Sequence, residues 1–318
     1  MLDKLNLIKK NTVEILTEDE LVSLLKKNTK PSVYCGYETS NEIHLGHLVT
    51  ISKLLDFQKA GLKVKVLLAD YHTFLNKKGS LKEIAKQAKT WEAGFKAFGL
   101  KAEYVLGSSF QRKPEYIDDL LKMTLTTTIN RALRSMQEIA RDIDNAHVSQ
   151  VVYPFMQIED IKAMDLDIAY GGLEQRKIHV LARELLPGLG YKAPVCIHTP
   201  LITSLKGPGS KMSSSVPDSL ISIRDSEKDV RSKINAAYCP EGVLEDNPVL
   251  QIAKLVIFPR IDSFKVKRNE KFGGNVEFNS YEELEHEFVK KKLHPLDLKN
   301  SVADYLIEIL EPARKKLK

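Results

Sequence analysis

Short apolar runs and longer amphipathic stretches alternate along the first third of the chain. The runs at 32–35, 64–68 and 103–106 contain β-branched or aromatic residues among apolar ones, which is typical of buried strands. The stretches at about 44–60 and 80–98 repeat their apolar residues at helical spacing. This strand–helix–strand–helix–strand order predicts an α/β fold, with a doubly wound, Rossmann-like parallel sheet and helices on its faces.

The pattern changes in the middle and again near the end of the chain. Residues 108–152 have polar helical character without a strand signal, so we expect a helical insertion between two halves of the sheet. Short runs at 167–169 and 195–197 supply the remaining strands. The last part is rich in lysine and shows helical patterns only. We therefore expect an α/β domain over residues 1–224 and an all-α domain over residues 225–318.

Composition limits the possible classes of protein. Hydrophobic residues make up 43% and charged residues 28% of the 318 residues, which is usual for a folded globular protein and excludes a disordered one. The net charge of +6 permits a polyanionic partner without requiring one. Three widely spaced cysteines fit neither a disulfide framework nor a Cys–Cys zinc motif. The sequence shows neither a signal peptide nor a membrane-spanning run, so we expect a cytoplasmic protein.

A His-Leu-Gly-His sequence at residues 44–47 follows the first predicted strand and its turn. His44 and His47 share one face in the first turn of a helix, where free backbone N–H groups and the helix dipole favour anions. Gly46 lets a ligand approach the backbone. The arrangement predicts a phosphate site in which the imidazoles donate hydrogen bonds. Two surface histidines beside a packing glycine would give the same pattern.

A loop over residues 207–217 begins with Gly-Pro-Gly and contains Lys-Met-Ser-Ser-Ser at 211–215. Lys211 on a mobile loop is a point charge suited to polyphosphate. The hydroxyls of Ser213 and Ser214 add hydrogen-bond donors, and the glycines permit the loop to close after a ligand binds. An ordinary solvated loop would have the same composition.

The two sequences together, in this order and at this separation, resemble the two signatures of class I aminoacyl-tRNA synthetases. Within that class, the chain resembles the tyrosyl-tRNA synthetases of archaea and eukaryotes over nearly its whole length. The resemblance is strongest over residues 34–47, 153–160, 171–187, 211–215 and 294–300. It implies a ligase that joins L-tyrosine to AMP and then to the 3′-terminal ribose of tRNA(Tyr).

The resemblance implies catalysis by positioning, because the tyrosine carboxylate attacks the α-phosphorus of ATP without a covalent enzyme intermediate. His44, His47 and Lys211 would be the catalytic residues that contact the phosphates. Mg²⁺ would be held mainly by those phosphates, so no metal site made of protein side chains is expected. The residues that the resemblance places at ATP are Gly46, Gly171, Gly172, Met212, Ser213 and Ser214.

The resemblance also assigns the binding of the amino acid. Tyr34 and Asp160 would pair with the phenol hydroxyl of the substrate, which a site must satisfy if it is to reject phenylalanine. The substrate ammonium would be received by hydrogen-bond acceptors on Tyr153, Gln157 and Gln175. The resemblance places His72 near this pocket. A purely structural role for this histidine fits the sequence equally well.

Recognition of tRNA is implied at two places. Phe272 and His294 would stack on the first anticodon base, and Asp297 would accept hydrogen bonds from it. The acceptor end of the tRNA would meet Arg134, Arg176 and Lys177. The enzymes of this class that use tyrosine act as homodimers, and the helical insertion over 108–152 would form the interface.

Three alternatives remain at this stage. A tryptophanyl-tRNA synthetase would share the fold and both signatures, but an indole offers one donor and no acceptor to Tyr34 and Asp160. A non-catalytic RNA-binding paralogue should lack the signature residues, which are all present here. A plain nucleotidylyltransferase would not need the RNA-contacting residues expected near the end of the chain.

The chain departs from the family's pattern at several positions. Ser214 stands where the wider class has a second lysine, and Thr39 and Asn41 replace an expected proline and glycine. Glu159 replaces a more usual asparagine beside Asp160. Near the expected acceptor-end contact, Asn130 and Leu133 stand where basic residues are expected.

Overall fold

The computed structural model describes residues 2–139, 145–209, 212 and 219–317. The chain divides into two compact units. The first comprises Met1–Asn41, Lys53–Glu92 and Gly99–Pro200, and the second comprises Glu42–Ser52, Ala93–Phe98 and Leu201–Lys318. The domain boundary that the sequence suggests after residue 224 stays a prediction.

A six-stranded sheet occupies the first unit, with strand order β1-β6-β5-β2-β3-β4. All neighbouring strands are parallel except β1, which pairs antiparallel with β6 at the edge and places Glu14 opposite His198. The doubly wound α/β fold is thereby confirmed, with one antiparallel edge strand that the sequence did not predict. The strands are β1 (Glu14–Leu16), β2 (Ser32–Tyr37), β3 (Lys63–Leu68), β4 (Glu103–Leu106), β5 (Ile168–Gly172) and β6 (Val195–Thr199).

Helices surround the sheet and begin at recognisable caps. Thr17 and Glu20 form a capping box at the start of α2, and Pro114 takes the first turn of α6, where its missing N–H costs nothing. The helices that lie wholly or partly in this unit are α1 (Leu2–Lys9), α2 (Glu18–Lys27), α3 (Leu45–Lys59), α4 (Asp70–Leu75), α5 (Leu81–Ala97), α6 (Pro114–Thr126), α7 (Ile129–Met136), α8 (Val148–Ala163) and α9 (Arg176–Leu185). α6 and α7 lie where the sequence predicts a helical insertion.

A buried core joins the strands of the first unit to α6, α8 and α9. Helix α8 contributes most of its middle to this core, including Tyr153, Phe155, Ile158 and Ile161. Burying each such side chain stabilises the fold by roughly 1.5–3 kcal/mol. The packing therefore fixes the rotation of α8, and with it the direction of every polar side chain on the helix.

The second unit contains α10 (Glu227–Ala236), α11 (Pro248–Ile252), α12 (Tyr281–Val289) and α13 (Pro295–Lys316). Ser226 and Ser280 cap α10 and α12 as the sequence predicts. The expectation of an exclusively helical carboxy-terminal region is wrong in one detail, because β7 (Phe264–Val266) and β8 (Val276–Phe278) form an antiparallel hairpin. No helix among the described residues is long and apolar enough to cross a membrane.

Candidate active site

Two buried side chains of the first unit present polar atoms that lack a partner. Tyr34 lies on β2 and Asp160 on α8, with 1% and 0% of their surfaces exposed. Within the described part of the chain, neither Tyr34 Oη nor Asp160 Oδ2 has a hydrogen-bond partner. An unpaired buried polar atom costs about 1–3 kcal/mol, so such atoms mark a place for a polar ligand group.

The other oxygen of Asp160 is held firmly. Gln111 Nε2 donates to Asp160 Oδ1 at 2.8 Å, and Tyr116 Oη donates to the same oxygen at 2.9 Å. The same Tyr116 hydroxyl lies 2.8 Å from the Met156 carbonyl on the preceding turn of α8. These contacts fix the plane of the carboxylate and leave Oδ2 for a ligand. Neither Gln111 nor Tyr116 was predicted from the sequence, since both lie in the insertion and belong to no local pattern.

His72 joins Tyr34, Gln111 and Asp160, and we call these four side chains the phenol pocket. His72 Nε2 lies 3.6 Å from Asp160 Oδ2, and its Nδ1 is 3.4 Å from Gln111 Nε2. Its ring meets the ring of Tyr153 edge-on, with 4.6 Å between centroids. Burial lowers the pKa of His72 to about 4, so the ring is neutral near pH 7.

Burial also controls the charge of the phenol pocket. Desolvation raises the pKa of Asp160 to about 7, against the opposing effect of the hydrogen bonds from Gln111 and Tyr116. Desolvation, followed by the nearby Asp160 carboxylate, raises the pKa of Tyr34 well above its usual value. Tyr34 is therefore a neutral hydroxyl that can both donate and accept, while Asp160 acts as an acceptor whenever it is ionised.

The residues predicted to receive the substrate ammonium lie together in the first unit. Tyr153 and Gln157 are four residues apart on α8 and so share one face. Gln157 Nε2 donates to Gln175 Oε1 at 3.0 Å, which orients both amides. Tyr153 Oη donates to Glu38 Oε1 at 2.9 Å, so the lone pairs of the Tyr153 oxygen remain available as acceptors. We call Tyr153, Gln157 and Gln175 the ammonium subsite.

Glu38 is a residue of this region that the sequence did not suggest. Its carboxylate accepts hydrogen bonds from Tyr153 and from Asn76 Nδ2, the latter at 3.0 Å, and pairs with Lys78. The carboxylate is largely buried and is the one acidic group in contact with Tyr153 that the structure describes. The signal that could have revealed it is its position just beyond the end of β2, at the carboxyl edge of a parallel strand.

Gly171 and Gly172 lie at the end of β5 and face close side chains: the contact at Gly171 is with the stem of Gln175, and the contact at Gly172 is with the end of the flexible Glu174 side chain. A Cβ on Gly171 would lie 2.8 Å from Gln175 Cγ, and one on Gly172 would lie 2.2 Å from Glu174 Oε2. Glu174 Oε2 is itself buried and without a partner among the described residues. This acceptor beside two glycines suits a hydroxyl group, as the predicted ribose contact requires.

His44 and His47 lie in the second unit at the start of α3, with ring centroids 3.9 Å apart. The N–H of Gly46 donates to His44 Nδ1 at 3.1 Å, and the N–H of His44 donates to His47 Nδ1 at 3.2 Å. A ring nitrogen that accepts carries no proton, so both rings carry theirs on Nε2 and are donors there. Burial lowers the pKa of His44 to about 4, which keeps that donor neutral. A Cβ on Gly46 would lie 2.9 Å from His44 Cε1, so any other residue at position 46 would crowd the His44 ring.

Of the second signature, residues 211–215, only Met212 is among the described residues. Lys211, Ser213 and Ser214 lie outside the described residues. Met212 is buried, and its N–H donates to the Ile202 carbonyl at 2.9 Å. Gly207 has a φ of +96°, a backbone conformation that favours glycine. A Cβ at this position would also lie 2.6 Å from the Tyr238 ring, so backbone conformation and close packing both require glycine at the base of the loop.

The predicted RNA-contacting residues divide between the units. In the second unit, Phe272 lies on a short 3₁₀ turn with 62% of its surface exposed, and His294 caps α13 through its Nδ1, with Asp297 in the first turn. The other three lie in the first unit with polar partners already present: Arg134 donates to the Asn130 carbonyl, Arg176 Nε donates to both carboxylate oxygens of Glu14, and Lys177 contacts Gln137 and Glu138.

Comparison with known proteins agrees with this geometry. Residues 26–311 match the family of class I tRNA synthetases for tryptophan and tyrosine. The tyrosine–tRNA ligase of Archaeoglobus fulgidus is 51% identical, over 99% of this chain and 98% of that protein. The tyrosine–tRNA ligase of Methanocaldococcus jannaschii is also 51% identical, over 99% of this chain and 100% of that protein. The crystal structure of the Archaeoglobus fulgidus tyrosyl-tRNA synthetase with L-tyrosine superposes with a TM-score of 0.97, at 51% identity, and covers 100% of this chain and 99% of that one.

A tryptophan enzyme is a more distant match. The tryptophanyl-tRNA synthetase of Aeropyrum pernix shares 19% identity at a TM-score of 0.76, over 95% of this chain and 82% of that one, which shows a common fold alone. The chain therefore belongs to the class I tRNA synthetases for tryptophan and tyrosine, and within that family to the archaeal tyrosyl type.

Proposed function

We propose that the chain is a tyrosine–tRNA ligase, which activates L-tyrosine with ATP to tyrosyl-adenylate and transfers the tyrosyl group to the 3′ end of tRNA(Tyr). The observation that carries this proposal is the pair of unpaired buried atoms, Tyr34 Oη and Asp160 Oδ2. A phenol hydroxyl can donate to the carboxylate and accept from the Tyr34 hydroxyl, which satisfies both atoms. Phenylalanine would leave both unpaired, and tyrosyl-tRNA synthetases reject it by about 10⁵-fold for this reason.

The phenol pocket favours tyrosine over tryptophan on the same grounds. An indole N–H could donate to Asp160, but it has no acceptor for the Tyr34 hydroxyl. One buried donor would then remain unpaired, at a cost of about 1–3 kcal/mol. The ammonium subsite supports an amino acid as the ligand, because its Tyr153 and amide oxygens are acceptors.

Activation needs the tyrosine carboxylate to attack the α-phosphorus of ATP in line, with pyrophosphate as the leaving group. In the second unit, the Nε2–H groups of His44 and His47 supply neutral donors for phosphate oxygens. Because both histidines are fixed by backbone N–H groups, they need no reorganisation when charge develops on phosphate. Lys211 completes this set as a cation for the departing pyrophosphate.

We expect Mg²⁺ to enter with ATP, since this ion is usually held by substrate phosphates and water. Within the described ranges, no cluster of three His, Cys, Asp or Glu side chains is placed to hold a metal ion. The predicted ribose and adenine contacts at Gly171, Gly172 and Met212 would then orient the nucleotide.

Two partners complete the proposal. The exposed Phe272 ring offers a stacking surface for an unpaired RNA base, and His294 and Asp297, at the start of α13 in the same unit, are proposed to contact the same base. A second copy of the chain is proposed to cover α6, where Ile117, Leu121 and Leu125 form an exposed apolar stripe at i, i+4 and i+8.

The decisive experiment is ATP–pyrophosphate exchange without tRNA, measured with each of the twenty amino acids. We expect strong exchange with tyrosine and very little with phenylalanine or tryptophan. The variant Tyr34→Phe should lower the preference for tyrosine over phenylalanine by about 10- to 100-fold, because one pairing partner of the phenol is removed.

Other outcomes would change the assignment. Exchange that depends on tryptophan would make the chain a tryptophan enzyme. A folded protein that binds tRNA yet exchanges with no amino acid would leave only the RNA-binding paralogue.

A further inference from the structure

A line of polar groups in the first unit runs from the surface to two buried histidines that the activation step described above does not use. It begins at the exposed Arg176, whose Nε donates to Glu14 Oε1 at 2.9 Å and to Oε2 at 2.8 Å. Glu14 Oε2 lies 3.1 Å from His198 Nδ1, and His198 Nε2 lies 3.0 Å from His179 Nδ1. Both histidines are buried, and their ring planes are inclined by 26° with 5.1 Å between centroids, as expected for two rings joined edge to edge by a hydrogen bond. We call Glu14, His198 and His179 the histidine chain.

The direction of each hydrogen bond in the histidine chain is fixed by Glu14. A carboxylate paired with Arg176 can only accept, so His198 must carry its proton on Nδ1. Burial lowers the pKa of both His198 and His179, so both rings are neutral. His198 Nε2 is then an acceptor, and His179 must donate from Nδ1. The carboxylate on the edge strand thereby sets the tautomer of a buried ring that it does not touch.

Both ends of this line, Arg176 and His179, lie next to the segment Gly171–Gln175. His179 Cε1 would lie 3.5 Å from a Cβ on Gly171, so its ring packs against that glycine. Gly171 in turn packs against Gln175, whose amide accepts from Gln157 in the ammonium subsite. At the other end, Arg176 directly follows Gln175 in sequence. The Gly171–Gln175 segment is therefore flanked by His179, which packs on Gly171, and by Arg176, which follows Gln175 in the chain. Arg176 contacts Glu14 directly, and His179 is linked to Glu14 through His198.

We propose that the histidine chain is a positioning device for the tyrosine site: Glu14 acts through His198 and His179 on one side, and through Arg176 on the other, to fix the Gly171–Gln175 segment. The inference rests on the proposed function, because it takes Gln175 to receive the substrate ammonium. None of the three residues touches the substrate. Their effect is on how well Gln175 is placed before tyrosine arrives.

The matched comparison is between Glu14→Gln and Glu20→Gln. Both glutamates link the amino-terminal segment to an arginine of α9, Arg176 for Glu14 and Arg183 for Glu20. Only Glu14 reaches the buried histidines. Both glutamines keep the size of the side chain, and Gln at position 20 can still serve the capping box of α2.

The kinetic test is ATP–pyrophosphate exchange. Exchange by the wild-type chain with tyrosine must first be shown, which tests the proposed function separately. We then expect Glu14→Gln to raise KM for tyrosine about tenfold, corresponding to about 1.4 kcal/mol, with kcat and KM for ATP within about twofold of wild type. Glu20→Gln should leave all three values within about twofold.

A second variant guards against simple misfolding. His198→Asn places an amide near the former Nδ1 position, so it can still donate to Glu14 but cannot accept from His179. Its KM for tyrosine should rise as in Glu14→Gln, while circular dichroism shows a folded protein. Equal kinetic effects from Glu14→Gln and Glu20→Gln, or wild-type KM in both Glu14→Gln and His198→Asn, would overturn the inference.

The spectroscopic test reads the protons directly. In ¹⁵N-histidine-labelled protein near pH 7, nitrogen–proton correlation spectra show which ring nitrogen carries the proton. We expect His179 and His198 to be neutral with the proton on Nδ1, and the Nδ1 signal of His179 to change in Glu14→Gln but not in Glu20→Gln. A proton on Nε2 of His179 in the wild-type chain would contradict the assigned order.

Discussion

At the residue scale, we expect Glu38, which also pairs with Lys78, to supply negative charge to the proposed ammonium subsite. Tyr153, Gln157 and Gln175 are neutral acceptors, and an ammonium taken out of water among neutral groups loses much of its hydration. The Glu38 carboxylate lies one hydrogen bond away from the subsite, through the Tyr153 hydroxyl. It orients that hydroxyl and makes its oxygen a better acceptor, since hydrogen bonds in a chain strengthen one another.

Replacement of this carboxylate by an amide should weaken the binding of ammonium-bearing ligands selectively. For Glu38→Gln we expect Kd for tyrosine and for tyramine to rise about 5- to 30-fold, the range for a lost charge-assisted contact of about 1–2 kcal/mol. Calorimetric titration or competition in the exchange assay would measure both.

The control ligand is 3-(4-hydroxyphenyl)propionate, which keeps the phenol and the carboxylate but lacks the ammonium. Its affinity for Glu38→Gln should stay within about twofold of wild type. A parallel loss for all three ligands would mean that Glu38 merely supports the fold of the pocket.

One sequence departure at this scale is explained by a partner that no local pattern reveals. Thr39, in place of the expected proline, donates its N–H to Thr73 Oγ1 at 3.0 Å, a bond that proline cannot form. The backbone carbonyl of Asn41 accepts from Trp91 Nε1 at 2.7 Å, but glycine would form the same bond, so nothing in the structure explains asparagine at this position. The family resemblance could indicate Tyr34 and Asp160, but the groups that orient Asp160 come from a distant insertion. Only the folded chain brings them together.

At the scale of elements, α8 carries two adjacent buried carboxyl groups on different sides. Asp160 belongs to the phenol pocket, whereas Glu159 faces Lys162 on its own helix at 3.6 Å, and Lys162 in turn pairs with Asp119 of α6. Lys122, on α6, also pairs with Asp119. Desolvation raises the pKa of Glu159 to about 7, with Lys162 opposing the shift.

The raised pKa gives a signed prediction for stability. The folded chain binds more protons at Glu159 than the unfolded chain between about pH 4.5 and pH 7, so this residue lowers the free energy of unfolding as pH rises through that window. Glu159→Gln removes the titration. The variant should be more stable than wild type above pH 7 by on the order of 2–3 kcal/mol, and the gain should disappear towards pH 4.5.

Urea unfolding of both proteins across this pH range would measure the difference. Glu18→Gln is a suitable control, because Glu18 is an exposed carboxylate paired with Lys9 at the surface. A pH-independent gain for Glu159→Gln would show that packing, rather than ionisation, separates the two proteins.

Element prediction from the sequence succeeded where an apolar run marked a buried strand. The runs at 32–35, 64–68 and 103–106 lie in β2, β3 and β4, and the shorter runs at 167–169 and 195–197 overlap β5 and β6, whose five residues are all buried. The strands β1, β7 and β8 contain three residues each, too few for an alternation of period two to be visible. Their existence depends on a neighbouring strand, β6 in the case of β1, so the information lies in tertiary pairing rather than in the segment.

At the scale of the whole molecule, the apolar stripe on α6 bears on assembly. Leu121 is 55% and Leu125 86% exposed in the isolated chain, which is costly for side chains of this size. Ile129 on α7 and Val148 at the start of α8 are also exposed, so α6 is not the only helix of the predicted insertion with exposed apolar side chains among the described residues. A homodimer formed through this face would remove the surface from water.

Leu125→Glu should therefore shift the chain from dimer to monomer at micromolar concentration, because a buried unpaired charge opposes association. Sedimentation equilibrium would measure the shift. Leu2→Glu is the control, since Leu2 is exposed on α1 and lies outside the stripe. A dimer that persists in Leu125→Glu with wild-type affinity would place the interface on another face.

Tyrosine and folding are linked through the two unpaired atoms of the phenol pocket. A ligand that binds only the folded chain stabilises it by mass action, by about 2.7 kcal/mol when its concentration is one hundred times Kd. Tyr34 Oη and Asp160 Oδ2 would each gain a hydrogen-bond partner when tyrosine binds, so binding would favour the folded state of the first unit. In a cell that runs short of tyrosine, more of the enzyme would pass through unfolded states that proteases recognise. The supply of one amino acid would then set the lifetime of the enzyme that uses it.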